Sequence, residues 1–278
     1  MSFLAKLQTS WCKSQSLVCV GLDPDPAKLP GSIASAKKPV FEFCKAIVDA
    51  TADLVCAFKP QIAYFAAAGL EDQLEMTMRY IAEHYPHVLL ILDAKRGDIG
   101  PTSAMYATEA FDRFGADVVT VNPYLGKDSI EPFLQRADKG VFVLCRTSNP
   151  GAADLQDLVC DGKKLYSVVA GKAATQWNEK GNVGLVVGAT YPKELQEIRS
   201  LAPSVPFLVP GIGAQGGDVQ AAVSSGIDKN GAGLVINSSR AIIYASSGKD
   251  FPDAARRAAG DLRDEINKYR QTAGSKIG

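Results

Sequence analysis

The sequence predicts one α/β domain of the (β/α)8, or TIM-barrel, class, and three observations predict it. Eight short apolar runs rich in β-branched residues alternate with segments of helical period along the 278 residues. The runs are almost continuously apolar instead of alternating, which is the pattern of parallel strands buried on both faces. The length suits one barrel, and a hydrophobic content of 46% can fill its core.

In chain order, strands are expected at residues 17–22, 54–58, 88–92, 118–121, 140–145, 183–187, 207–209 and 233–236. Helical segments are expected at 39–51, 71–85, 130–137, 165–176 and 192–200, with a C-terminal helix at 250–269. Within 71–85, Leu74, Met78, Tyr80, Ile81 and Tyr85 fall on one apolar stripe. The longest connection, after strand five, runs from Thr147 to Asn182 and is read as an elaboration over the barrel. No linker or low-complexity block divides the chain, so residues 1–278 form one domain, with 271–278 frayed. An open doubly wound sheet would carry a glycine-rich phosphate turn after its first strand; here Gly21-Leu22-Asp23-Pro24 follows instead.

Composition excludes several classes of function. Thirty basic residues balance thirty acidic ones, which argues against a nucleic-acid or membrane-surface protein. Six scattered cysteines, none in a C-x-x-C pair, read as reduced and structural, as in a cytoplasmic protein. Residues 1–6 carry no sustained apolar stretch, so no secretory signal is expected. No run approaches the ~20 apolar residues that cross a bilayer.

Polar residues gather where the expected strands end, and in a barrel those ends converge on one mouth. They include Asp23, Lys59, Asp93, Lys95, Asn122, Thr147, Ser148, Thr190, Asn237, Ser239 and Arg240. Alternation along a strand turns Asp93 and Lys95 to the same side, with Lys59 on the neighbouring strand. Such alternating charges form either a structural ion-pair network or a site where a protonated lysine serves as an acid. In the second case a fixed carboxylate would repel a substrate carboxylate about to leave. The glycine-rich stretch 210–217 after strand seven, followed by Ser239-Arg240 after strand eight, suits a phosphate group. The two histidines, His84 and His87, precede strand three and lie at the wrong end for catalysis. A His-based triad or His-ligated metal is therefore excluded, while an all-carboxylate Mg²⁺ site from Asp23, Asp93 and Asp98 stays open.

Asp93-Ala94-Lys95-Arg96-Gly97-Asp98-Ile99 matches the D-x-K-x-x-D-I signature of orotidine 5'-phosphate decarboxylases. The chain resembles that family from Gly21-Leu22-Asp23-Pro24 to Ser238-Ser239-Arg240, and is most similar to its longer, mainly bacterial branch. Phe58-Lys59-Pro60-Gln61 and Arg146-Thr147-Ser148-Asn149-Pro150-Gly151 carry that likeness too.

The resemblance implies decarboxylation of orotidine 5'-monophosphate to UMP and CO2, with no metal and no organic cofactor. It makes Lys95 the proton donor to C6, sets Asp93 against the departing carboxylate, and gives Lys59 the charge network and the ribose. Asp98, Ile99 and Thr102 would reach into a partner subunit's site in a homodimer. Asp23 would bind a ribose hydroxyl, Ser148 the pyrimidine edge, and Gln215, Ser239 and Arg240 the phosphate end. The nearest competitor is a Mg²⁺-dependent keto-sugar-phosphate decarboxylase or hexulose-phosphate synthase on the same barrel. A non-catalytic phosphometabolite sensor is a third reading, disfavoured because clustered buried charge is costly.

Overall fold

A computed structural model describes residues 1–212 and 217–272. Eight parallel strands close into a barrel. They are β1 (Val18–Leu22), β2 (Ala57–Pro60), β3 (Leu89–Arg96), β4 (Val118–Val121), β5 (Gly140–Arg146), β6 (Val183–Val187), β7 (Phe207–Pro210) and β8 (Leu234–Ser238). Each pairs in parallel with its chain neighbour, and β1 closes the ring against β8 through Val18–Ile236, Cys19–Asn237 and Val20–Ser238. All eight expected strands exist. Several extend further at the C-terminal end than apolarity alone suggests, because β2, β3 and β5 carry Lys59, Asp93 to Arg96, and Arg146 on into the mouth.

The helices that ring the barrel include α2 (Pro39–Thr51), α4 (Glu71–His84), α6 (Lys127–Leu134), α8 (Pro192–Leu201) and α11 (Phe251–Thr272). On α4, Leu74, Met78 and Ile81 are buried as expected. Tyr80 and Tyr85 sit at the margin of that stripe, their hydroxyls donating to Asp49 at 2.7 and 2.8 Å. The last helix continues to Thr272, past the expected fraying point at 271.

Five helices were not anticipated. They are α1 (Phe3–Ser14), α3 (Ile62–Ala66), α5 (Gly100–Thr108), α9 (Val219–Gly226) and α10 (Arg240–Ile243). Most are short, so an amphipathic period has little length in which to show. Helix α1 is longer, and it packs under the barrel. Trp11 donates to the Leu234 carbonyl at 3.0 Å, Ser10 to that of Cys56 at 2.5 Å, and Lys6 pairs with Asp117. These partners lie at or just before the starts of β8, β2 and β4, so α1 covers the N-terminal end.

The connection after β5 is an elaboration, as expected. It holds a 3₁₀ turn (Pro150–Asp154), a small hairpin (Val159–Cys160 with Lys163–Lys164) and α7 (Leu165–Ala174). Tyr166 and Ser167 both donate to Glu197 on α8, which fastens the connection to the ring. All six cysteines are free thiols; four are buried, whereas Cys12 is half-buried and Cys160 is exposed on the hairpin. Among the described residues no helix is long and apolar enough to cross a membrane.

Candidate active site

A cavity of about 600 Å³ opens at the C-terminal ends of the strands. Its walls bring together Asp23, Lys59, Asp93, Lys95, Ser148, Ser239 and Arg240, which lie on five different strands or the turns after them. His84 ends α4, ahead of β3, and His87 follows it in the same turn, away from this mouth.

Asp93 is the centre of the charged group. The residue is 7% exposed, and its carboxylate accepts from Lys59 Nζ at 2.9 Å on one oxygen and from Lys95 Nζ at 2.6 Å on the other. Thr120 on β4 adds a third donor at 2.8 Å. Burial works to raise the Asp93 pKa, but the two lysines outweigh it and hold the carboxyl well below its ordinary 3.8. Burial likewise works against the charge on Lys59, which is 4% exposed; Asp93 and then Asp23 reverse that and raise its pKa above the ordinary 10.5. Both partners are thus fixed in their charged forms. Nearby Cys19 is fully buried, and that burial pushes its thiol up to about 12, so it is inert.

Simple alternation does not produce this geometry. The β3–β4 register shifts between Leu92 and Arg96, and Lys95 is in the left-handed region at φ 46°. The backbone N–H groups of Ala94 and Lys95 both donate to Thr120 Oγ1 at 3.0 Å, stabilising the irregularity. A bulge of this kind re-aims a side chain, and here it swings Lys95 back over Asp93. The expected neighbours meet, but through a distorted strand. Arg96 turns away to a two-pronged pair with Glu109 at 2.9 and 3.1 Å. Gly97 then passes so close to β4 that a Cβ would sit 2.5 Å from the Asn122 carbonyl oxygen.

The rest of the pocket is less complete. Arg240 is exposed on the mouth and its side chain makes no ion pair or hydrogen bond among the described residues, while Ser239 donates to the Gly21 carbonyl at 3.0 Å. Asp23 Oδ1 is buried without a hydrogen-bond partner among the described residues. Gln215 lies outside the described residues.

Asp98, Ile99 and Thr102 do not line this cavity. Asp98 accepts from the Ile99 N–H at 2.8 Å, and Ile99 is 61% exposed at the start of α5. Among the described residues no group of three or more His, Cys, Asp or Glu is placed to hold a metal ion, so Asp23, Asp93 and Asp98 do not form a ligand set.

Sequence reasoning missed Thr120, Gln61, Tyr64, Asn149 and Gln156, which also line the cavity. Thr120 left a usable signal, as a hydroxyl inside the apolar run Val118-Val119-Thr120-Val121. Gln61 and Tyr64 come from the unanticipated α3 and its N-cap, and Gln156 from an irregular stretch, so no period marked them.

A model of the orotidine 5'-phosphate decarboxylase / HUMPS family matches residues 16–254. A protein of Ralstonia pickettii (strain 12J) named orotidine 5'-phosphate decarboxylase is 58% identical over 270 residues, covering 97% of this chain and 100% of its own. One of the same name from Azoarcus sp. (strain BH72) is 59% identical over the same shares. Among solved structures, OMP decarboxylase of Leishmania donovani superposes with a TM-score of 0.84 at 39% identity, over 98% of this chain and 99% of that one. The continuous match and the charged cluster at the barrel mouth agree, and the chain belongs to the orotidine 5'-phosphate decarboxylase / HUMPS family.

Proposed function

We propose that the chain decarboxylates orotidine 5'-monophosphate to UMP and CO2, the last step of de novo pyrimidine nucleotide synthesis, as a single catalytic domain over residues 1–278. Family membership supports the reaction. The observation that carries the chemistry is the Asp93 carboxylate clamped between the Lys59 and Lys95 ammonium groups in a nucleotide-sized pocket.

In this reading the substrate carboxylate lies against Asp93, whose ionised form is enforced by its lysines. The C6–carboxylate bond breaks, CO2 leaves, and the electron pair stays on C6. Lys95 Nζ gives its proton to C6, and the neutral amine recovers one from solvent. Such a poorly delocalised carbanion needs ~20 kcal/mol of transition-state stabilisation, more than one lysine supplies. The remainder comes from charges fixed before substrate arrives and from binding energy gathered at the phosphate. Arg240, with Ser239 and Gln215, takes the phosphate; Asp23, whose Oδ1 lacks a partner among the described residues, takes a ribose hydroxyl; Ser148 takes the pyrimidine edge. No metal or organic cofactor takes part.

The deciding experiment follows absorbance of orotidine 5'-monophosphate with purified protein, with and without chelator. Consumption unaffected by chelator is expected. Loss of activity on chelation, with turnover of a keto-sugar phosphate, would instead favour the Mg²⁺-dependent branch.

Asp98, Ile99 and Thr102 point to a homodimer with shared sites, since the first two end the signature and the third follows it, yet all three lie outside their own chain's pocket. In a cytoplasmic enzyme of this kind, mixing inactive Lys95→Ala and Asp98→Ala proteins restores activity in roughly a quarter of all sites, because a random heterodimer holds one intact site. Mixtures that stay inactive while exchanging subunits would sink the shared-site reading.

A further inference from the structure

We propose that Gln156 is a positioning residue whose carboxamide holds Thr147, and through it the 147–149 wall of the pocket, in the shape that receives the pyrimidine ring. The proposal rests on the decarboxylase reading above and adds a role for the connection after β5. Thr147, Ser148 and Asn149 all line the cavity, but they lie past the end of β5, where no strand ladder orders them.

Gln156 supplies the missing partners. Its Oε1 accepts the Thr147 N–H at 2.8 Å, and its Nε2 donates to Thr147 Oγ1 at 2.9 Å. Thr147 Oγ1 passes the order on by donating to Asn149 Oδ1 at 2.7 Å. An amide that gives and accepts on the same residue fixes both position and rotation.

Gln156 is itself anchored. Its N–H donates to the Ala152 carbonyl at 2.8 Å, and its carbonyl accepts from the Tyr166 N–H at 3.1 Å. Tyr166 is buried and donates to Glu197 at 2.8 Å, which ties the assembly to the helical ring. From below, the buried Arg146 guanidinium donates to the Thr147 carbonyl at 2.9 Å and to Asp157 at 3.2 Å, stacked 4.0 Å from the Tyr191 ring. A buried guanidinium tolerates few alternative arrangements. The connection therefore acts as a brace for one wall of the site, and Gln156 is its contact point.

That wall follows β5, three strands round the barrel from Arg240, so its disruption affects ligands that carry a base and spares those that lack one. The test compares Gln156→Leu and Gln156→Met with Gln156→Glu, measuring calorimetric affinities for UMP and for ribose 5-phosphate. Leucine and methionine lose both bonds. About tenfold weaker UMP binding is expected, with a matching rise in KM, little change in kcat, and ribose 5-phosphate affinity intact. Glutamate keeps the acceptor for the Thr147 N–H but can hold the hydroxyl only by taking its proton from Asn149, so UMP affinity returns in part. Retained ribose 5-phosphate binding also reports that each variant is folded. Equal weakening of both ligands, no change in either, or no recovery with glutamate overturns the proposal. A parent protein that binds neither ligand and leaves orotidine 5'-monophosphate intact would instead sink the decarboxylase reading itself, and Gln156's role with it.

Discussion

Both carboxylate oxygens of Asp93 are already taken by protein donors, whereas elsewhere in the pocket the Arg240 side chain has no partner among the described residues and Asp23 Oδ1 is buried without one. One wall is complete before any ligand arrives, and the other is unfinished. The complete wall has its charges held by mutual pairing, so reaction requires little reorganisation there. The unfinished wall keeps donors and acceptors unspent, so a ligand gains most by filling it. Stabilisation of the transition state and capture of the substrate are thus assigned to different strands, and substitutions should separate them.

The largest effect is expected at Lys95. Lys95→Ala should lower kcat by about four orders of magnitude, the upper range for a positioned proton donor, while UMP binding changes little. Near-normal turnover in a rapid-quench assay would end the proposed mechanism.

Asp93→Asn should strike stability as well as rate, since it leaves the Lys59 ammonium buried and unpaired, costing about 3 kcal/mol in urea unfolding at neutral pH. The pH dependence has a definite sign. Asp93 has a lowered folded pKa, so its contribution is present above the ordinary 3.8 and is lost as pH falls toward the folded value. Lys59 has a raised one, so its contribution is present below 10.5 and lost as pH rises through the folded value. The stability gap between parent and variant should be flat between those limits and close outside them. A gap that keeps growing below pH 3.8 would contradict the pairing.

Arg240→Ala tests the other wall. KM should rise about a hundredfold through loss of charge-assisted bonds to phosphate, with kcat falling much less. A fall confined to kcat would mean that the two walls are not separable in this way.

The smallest effect is at Gly97→Ala, where a methyl would meet the Asn122 carbonyl at 2.5 Å. Relief must come from the same backbone that carries Lys95, so about 1–2 kcal/mol of stability and some turnover should be lost together. Full activity with unchanged melting would show that β3 can yield without moving Lys95.

The barrel was legible because its strands are buried on both faces, and continuous apolar runs such as Val118–Val121 and Val183–Val187 express that directly. The ring of strand-end residues was legible for the same reason, since parallel strands bring their C-terminal ends together. Less visible was anything that depends on backbone irregularity. The left-handed conformation of Lys95 leaves no periodic trace, and Thr120's role rests on accepting two N–H groups from another strand. Gln156 works across a turn that no spacing rule describes. The signature's last part, Asp98-Ile99, was legible as a motif but has no task within its own chain's pocket.

Helix α1 adds a consequence for traffic. Phe3 lies across Gly140 so tightly that a methyl there would meet its ring at 2.5 Å, and the same ring packs edge-on against Phe142. With Trp11 fastened to the start of β8 and Ser10 to the residue before β2, the base of the barrel is corked, leaving the mouth as the doorway. Nucleotide arriving, gas escaping and nucleotide departing must share it in turn. UMP should therefore exclude fresh substrate until it has left, making the product a competitive inhibitor by architecture.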